Sequence, residues 1–185
     1  MSRLIDRGHL LVSTPLVFGD ASFCQSVVLL VEVSRSNLVG FVLNHKLNKT
    51  LDYFVEQCPV KQDLFRGGPV EMENLYYIHR LGSKIPNSIE IENGLFWSGD
   101  FKMAMALVKK EEIQSSDIRF FLGYAGWGYD QLMQEIKCQT WELVENGYGQ
   151  KLLSVDPKIL WKNEMSKLGG RYKIWSNAPP DPQLN

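Results

Sequence analysis

The stretch Arg119-Phe-Phe-Leu-Gly-Tyr-Ala-Gly-Trp-Gly-Tyr-Asp-Gln-Leu-Met-Gln-Glu-Ile136 passes from a run suited to a buried strand into a run suited to a helix. Its first part predicts a strand over Arg119–Tyr124. Glycines at 123, 126 and 128 predict a turn, because glycine takes positive φ freely and lets backbone approach closely. The helix is expected to enter at Asp130. Free N–H groups at such a start point back into the turn, where anions are attracted. This arrangement would gather Tyr124, Trp127, Gln131 and Glu135 around one pocket. The same glycines also suit close packing of strand on helix, with Trp127 as a core anchor. That architectural reading is preferred, since the stretch has neither the G-x-G-x-x-G order nor a G-K-[ST] ending. On the helix, Leu132, Met133 and Ile136 form the buried face, with Gln131 and Glu135 one turn apart beside it.

Upstream, Leu10-Leu-Val12 predicts a short strand stopped by Thr14-Pro15, and residues 20–25 predict a turn. Ser26–Val33 is a continuous β-branched and apolar run, the pattern of a strand covered on both faces. Ser34–Asn37 turns it into a return strand over Leu38–Leu43. A helix is expected from Leu51 to about Gln57, ended by Pro59. Leu64–Val70 reads as a strand entering a glycine turn and Leu75–His79 as another strand. Ile89–Ile91 and Leu95–Trp97 flank Asn93-Gly94, a strong hairpin signal. Asp100 caps a helix with Phe101, Ala104, Met105, Leu107 and Val108 on its apolar face. Thr140–Val144 is a late strand. Asp156-Pro157 opens a last helix that Gly169-Gly170 closes. The expectation is one α+β domain over residues 1–178 with a mostly antiparallel sheet, and a loose tail over 179–185.

The chain has 185 residues, 44% hydrophobic and 22% charged, which is ordinary globular usage. A formal net charge of −1 gives no general positive field for nucleic acid. Lys109-Lys110 reads as a solvated helix end. Cys24, Cys58 and Cys138 are odd in number and widely spaced, as in a reduced cytoplasmic protein. The start, Met-Ser-Arg-Leu-Ile-Asp-Arg, does not read as a signal peptide, and Val27–Val31 is too short to span a membrane.

Several segments occur together in order: Gly8–Leu16, Phe23–Glu32, Gly40–Asn44, Gly67–Val70, Leu75–His79, and Gly123–Trp127 with Gln131–Glu135. Over Gly8–Leu168 the chain resembles the bacterial AlgH/YqgE family. The resemblance implies a strongly bent, split sheet wrapped into an incomplete barrel with helices outside. It brings no agreed activity, although some members are labelled transcriptional regulators. Positions shared with members are Asn44, Gly67, Gly68, Pro69, His79, Gly123, Tyr124, Trp127, Gln131 and Glu135. Many members have Cys-Glu-His where this chain has Val31-Glu32-Val33, so thiol or imidazole chemistry is absent there. Many also have an acidic residue after the tryptophan and a glycine before the glutamine, where this chain has Gly128 and Asp130.

The candidate ligand-binding residues are therefore Asn44, Gly67, Gly68, His79, Tyr124, Trp127, Gln131 and Glu135. No catalytic set is assigned, and neither a metal nor a cofactor is expected, because His9, His45 and His79 are isolated from the cysteines. A lone histidine at a strand end, such as His79, is more often bonded into structure than catalytic. Ser26 and Ser98 lack a nucleophile-elbow context. Glu32 reads equally as a paired charge or a titrating group. The leading expectation is a cytoplasmic binding or regulatory protein, with a small anionic ligand or a protein as partner. The alternative is an enzyme or sensor acting on a small anionic or phosphorylated ligand at the glycine-rich turns. Direct DNA binding is the weakest reading, for want of a recognition helix or basic stripe.

Overall fold

The run Val27–Val31 is buried along its whole length, and its side chains alternate between two cores. Val27, Leu29 and Val31 enter one apolar cluster, while Val28 and Leu30 enter another on the opposite face. That is what a continuous apolar strand requires, since it has no solvated side. It forms β2 (Val27–Val33), between β1 (Leu10–Ser13) and β3 (Leu38–Val42). The turn at Ser34–Asn37 is tied by Ser34 Oγ, which donates to Asn37 O at 2.8 Å and accepts from Asn37 N at 3.0 Å.

The computed structural model describes residues 4–17, 22–56, 58 and 60–177. The further strands are β4 (Lys46–Thr50), β5 (Asp63–Arg66), β6 (Val70–His79), β7 (Ile89–Glu92), β8 (Leu95–Trp97), β9 (Ile118–Trp127) and β10 (Trp141–Val144). They make one ten-stranded sheet in the order β10-β1-β2-β3-β9-β6-β8-β7, with β4 and β5 branching from β9. The sheet is mixed but mostly antiparallel, β5 running parallel to β9. It is not closed. β9 joins its two halves: residues 120–122 lie between β5 and β6, and residues 125–127 pair with β3.

Helices α1 (Phe101–Lys109), α2 (Tyr129–Lys137), α3 (Pro157–Leu168) and α4 (Gly170–Trp175) pack on these faces. The caps are those expected: Asp100 accepts from Met103 N at 2.9 Å, and Asp156 accepts from Lys158 N at 2.9 Å, with Pro157 at the first helical position. Ala104, Met105 and Val108 of α1 cover Phe120, Leu122 and Tyr77. Leu107 is half-buried and Phe101 exposed, so the apolar face of α1 is narrower than expected. Leu132 of α2 enters the cluster with Trp127 and Trp141, and Leu160, Trp161 and Met165 of α3 enter that with Phe41 and Phe121.

Three expectations are corrected. The glycines at 123 and 126 do not make a turn, because the strand continues to Trp127 and α2 follows directly with Gly128 as its N-cap. Hydrogen bonding to β3 holds Gly126 in extended backbone, opposite Val39. The helix expected after Leu51 is a single 3-10 turn over Leu51–Tyr53, with only Leu51 buried. Tyr53 and Phe54 lie exposed beneath Lys49, so no apolar face holds a longer helix (Gln57 and Pro59 fall outside the described residues). Polar Lys46–Thr50, for which the sequence suggested no element, forms the strand β4. Gly169 does end α3, but α3 is not the last helix, since a further short one, α4, follows. The expected loose tail, and part of the turn at 20–25, lie outside the described residues.

Candidate functional site

The glycines resolve into a backbone crossing. Gly67 donates its N–H to Leu122 O at 2.8 Å, while its own carbonyl accepts from Val42 N at 2.8 Å. A Cβ on Gly67 would stand 2.2 Å from Gly123 O, and one on Gly68 would stand 2.2 Å from Tyr124 O. Only glycine lets the chain between β5 and β6 pass this close over β9. Gly123 takes φ +68° opposite a bulge in β6, where Val70 pairs with Tyr124 and Leu75 with Leu122. The bulge reverses the alternation along β9. Phe121 and Tyr124, three residues apart, both join the cluster around Phe41, while Ala125 and Trp127 face α2.

Trp127, Gln131 and Glu135 do meet, around the carboxylate of Glu135. Glu135 Oε2 accepts from Trp127 Nε1 at 3.0 Å and from Trp141 Nε1 at 2.9 Å, and Oε1 accepts from Gln131 Nε2 at 2.9 Å. The two indoles meet edge to face at 5.8 Å, with Phe23 against both. One carboxylate thus satisfies two donors inside an aromatic cluster and fixes α2 to β10.

Asn44 and the two inner histidines each clamp strand ends. Asn44 accepts from Val27 N at 2.9 Å and donates to Gln25 O at 2.8 Å. His79 Nδ1 accepts from Leu81 N at 3.2 Å, so Nε2 carries the proton and faces Ser98 O at 3.2 Å and Ser88 Oγ at 3.0 Å. The Ser88 hydroxyl donates to Ile85 O at 2.6 Å. His45 repeats the pattern: Arg66 Nη2 lies 3.1 Å from Nδ1, and Nε2 lies 3.0 Å from Cys24 O and 3.1 Å from Ser26 Oγ. Burial lowers the pKa of both rings, and for His45 the Arg66 charge lowers it further. Both rings are therefore neutral, with the protonated nitrogen toward the serine. Neither can take a serine proton in that tautomer.

Another part of the molecule carries an open cleft of about 620 Å³, lined by Lys61–Asp63, Phe65, Ser115, Ser116, Ile118, Arg119 and Leu153–Pro157. Arg119 is only 6% exposed. Its guanidinium donates to Leu43 O at 3.0 Å and Leu153 O at 2.9 Å, and lies 4.7 Å from the Phe65 ring centre. Burial draws its pKa down to about 10, partly opposed by the charge of Asp63, so the group stays cationic at neutral pH. Among the described residues no carboxylate forms an ion pair with it: Asp63 pairs with Lys46 at 2.7 Å, and Asp156 caps α3.

The expected site residues thus fall into separate groups. Gly67, Gly68 and Tyr124 meet at the crossing, and Trp127, Gln131 and Glu135 meet around one carboxylate on the other face of β9. Asn44 sits at the end of β3 and His79 at the end of β6 beside Ile118. None of the eight lines the cleft. Arg119 was present in the opening stretch, where a lone charge inside an apolar strand was the available signal. Glu32 lies exposed beyond a bulge in β2. Among the described residues no three His, Cys, Asp or Glu side chains gather where they could hold a metal ion, and no helix is long and apolar enough to cross a membrane.

An open, mostly antiparallel sheet joined through one shared strand, with helices on its faces, defines an α+β architecture that solved proteins share. The solution structure of the AlgH protein from Pseudomonas aeruginosa superposes with a TM-score of 0.73 at 21% identity, covering 97% of each chain. A crystal structure of a protein from Corynebacterium diphtheriae gives 0.71 at 23% identity, covering 95% of this chain and 93% of that one. The AlgH-like family model matches residues 10–173, and the chain belongs to that family. Relatives described only as UPF0301 proteins include one from Cytophaga hutchinsonii, 36% identical over 98% of this chain and 100% of the relative. Another, from Bacteroides fragilis, is 38% identical over 97% of this chain and 91% of the relative.

Proposed function

We propose that this AlgH-like chain is a cytoplasmic binding or regulatory protein that captures a ligand in the cleft beside Arg119 rather than making or breaking bonds. The observation that carries the reading is the state of the two serine–histidine contacts. In each, the far ring nitrogen is an acceptor, so the nitrogen facing serine is already a donor. A serine nucleophile needs the reverse arrangement, with a base beside its hydroxyl and an acidic group behind the ring. The glycine and tryptophan motifs, for their part, spend their polar groups on the protein itself. The cleft instead joins a buried cation to hydroxyls and apolar walls, a composition suited to binding a small molecule. Cytoplasmic residence fits the free thiols of Cys58 and Cys138.

Intact-mass measurement after exposure to a fluorophosphonate tests the non-catalytic half of the reading. The expected product is unmodified protein. A stoichiometric adduct on Ser26 or Ser88 would overturn it.

A further inference from the structure

Among the described residues no carboxylate forms an ion pair with the cationic group at the wall of the cleft, and the charge of Asp63, engaged by Lys46, only partly offsets its burial. A buried charge without a counter-charge is costly, and two backbone carbonyls compensate an arginine less well than an anion does. Those carbonyls, of Leu43 and Leu153, also fix the plane of the guanidinium, leaving further N–H donors for another acceptor. A planar, pre-oriented guanidinium matches a carboxylate or a phosphoryl group through paired hydrogen bonds. The cleft is much larger than such a group alone, and Phe65, Ile118 and Leu153 give it apolar wall.

We infer that the cleft binds a small organic anion, a carboxylate or a phosphate monoester, with its charged end on Arg119 and an apolar portion against Phe65, Ile118 and Leu153. This rests on the reading of the cleft as the binding site and names the chemistry of its ligand. The two carboxylates nearby do not stand against it: Asp63 is held by Lys46 and Asp156 by the first turn of α3. Lys61, exposed at the rim, adds a second positive charge.

The test is amide chemical-shift mapping of the whole chain, titrated separately with hexanoate, phenyl phosphate, hexanol and phenol. The expected result is saturable shifts at Ser116, Ile118 and Ser154 with one or both anions, and much weaker shifts with the alcohols. Arg119→Lys, which keeps the charge but not the fork, should weaken binding about tenfold or more, the loss of charge-assisted hydrogen bonds. Because Arg119 is buried, Ser154→Trp supplies a variant that fills the cleft from an exposed position, and it should abolish the shifts in a folded protein. Equal response to anion and alcohol would overturn the anionic assignment while leaving the cleft as a binding site. Silence of the cleft toward all four probes at millimolar concentration would overturn the inference. A fluorophosphonate adduct would separately overturn the non-catalytic reading.

Discussion

Trp127 donates its indole N–H to Glu135 Oε2 at 3.0 Å across the junction where β9 passes into α2. Trp141 donates to the same oxygen, so one side chain decides whether two aromatic donors are satisfied. Glu135→Ala should therefore lower stability by about 2–4 kcal/mol, since each buried donor left without a partner costs about 1–3 kcal/mol. Gln131→Ala, which removes only an exposed donor, should cost about half a kcal/mol or less. Urea midpoints decide. Equal small effects would mean the carboxylate is a solvated helix group.

Gly68→Ala should cost about 4 kcal/mol or more, because its Cβ would meet the Tyr124 backbone at 2.2 Å and backbone cannot step aside as a side chain can. Gly147→Ala, with nothing within 4 Å of the added Cβ, should shift stability by about half a kcal/mol at most. The comparison is again a denaturation midpoint. A well-tolerated Gly68→Ala would show that the crossing is looser than described.

Much of this fold could be read from residue order, and what could not has physical reasons. The hairpin of β2 and β3, and the caps Asp100 and Asp156-Pro157, are local signals with local causes. Lys46–Thr50 carries no strand pattern, and only its pairing with β5 makes it one. The glycine stretch was misread because glycine reports close approach without saying from where. The approaching backbone is Gly67-Gly68, more than fifty residues upstream. Arg119 was visible as a charge in an apolar run, but its partners are the carbonyls of Leu43 and Leu153. Backbone acceptors leave no mark in the residue types.

Neutral His45 and His79 predict a specific loss of stability on mild acidification. Their pKa values are lowered from 6.5 in the folded chain, so below about that pH the unfolded chain binds more protons than the folded one. Their stabilisation is full above pH 6.5 and is lost as pH falls below it, before carboxylates such as Asp117 begin to titrate. Denaturation midpoints should fall from about pH 7.5 to 5.5, less steeply in His79→Gln than in the parent chain. A flat profile in the parent chain would contradict buried neutral rings.

Sequence-specific DNA binding should be absent. The net charge is −1, and α4, the short helix following α3, has only 6 residues, too few for a recognition helix. Mobility shifts against pooled genomic fragments at near-physiological salt should show no sequence discrimination. Tight, selective retention of particular fragments would restore the regulator reading in its direct form.

The most direct test of the account is a crystal structure of the protein grown with phenyl phosphate. The account predicts the phosphoryl group within hydrogen-bond distance of the Arg119 guanidinium, its ring toward Phe65, with Gln131 and Glu135 unchanged around the two indoles. Phosphate density seated instead at the Gly67-Gly68 crossing or beside Gln131, with an empty cleft at Arg119, would contradict it.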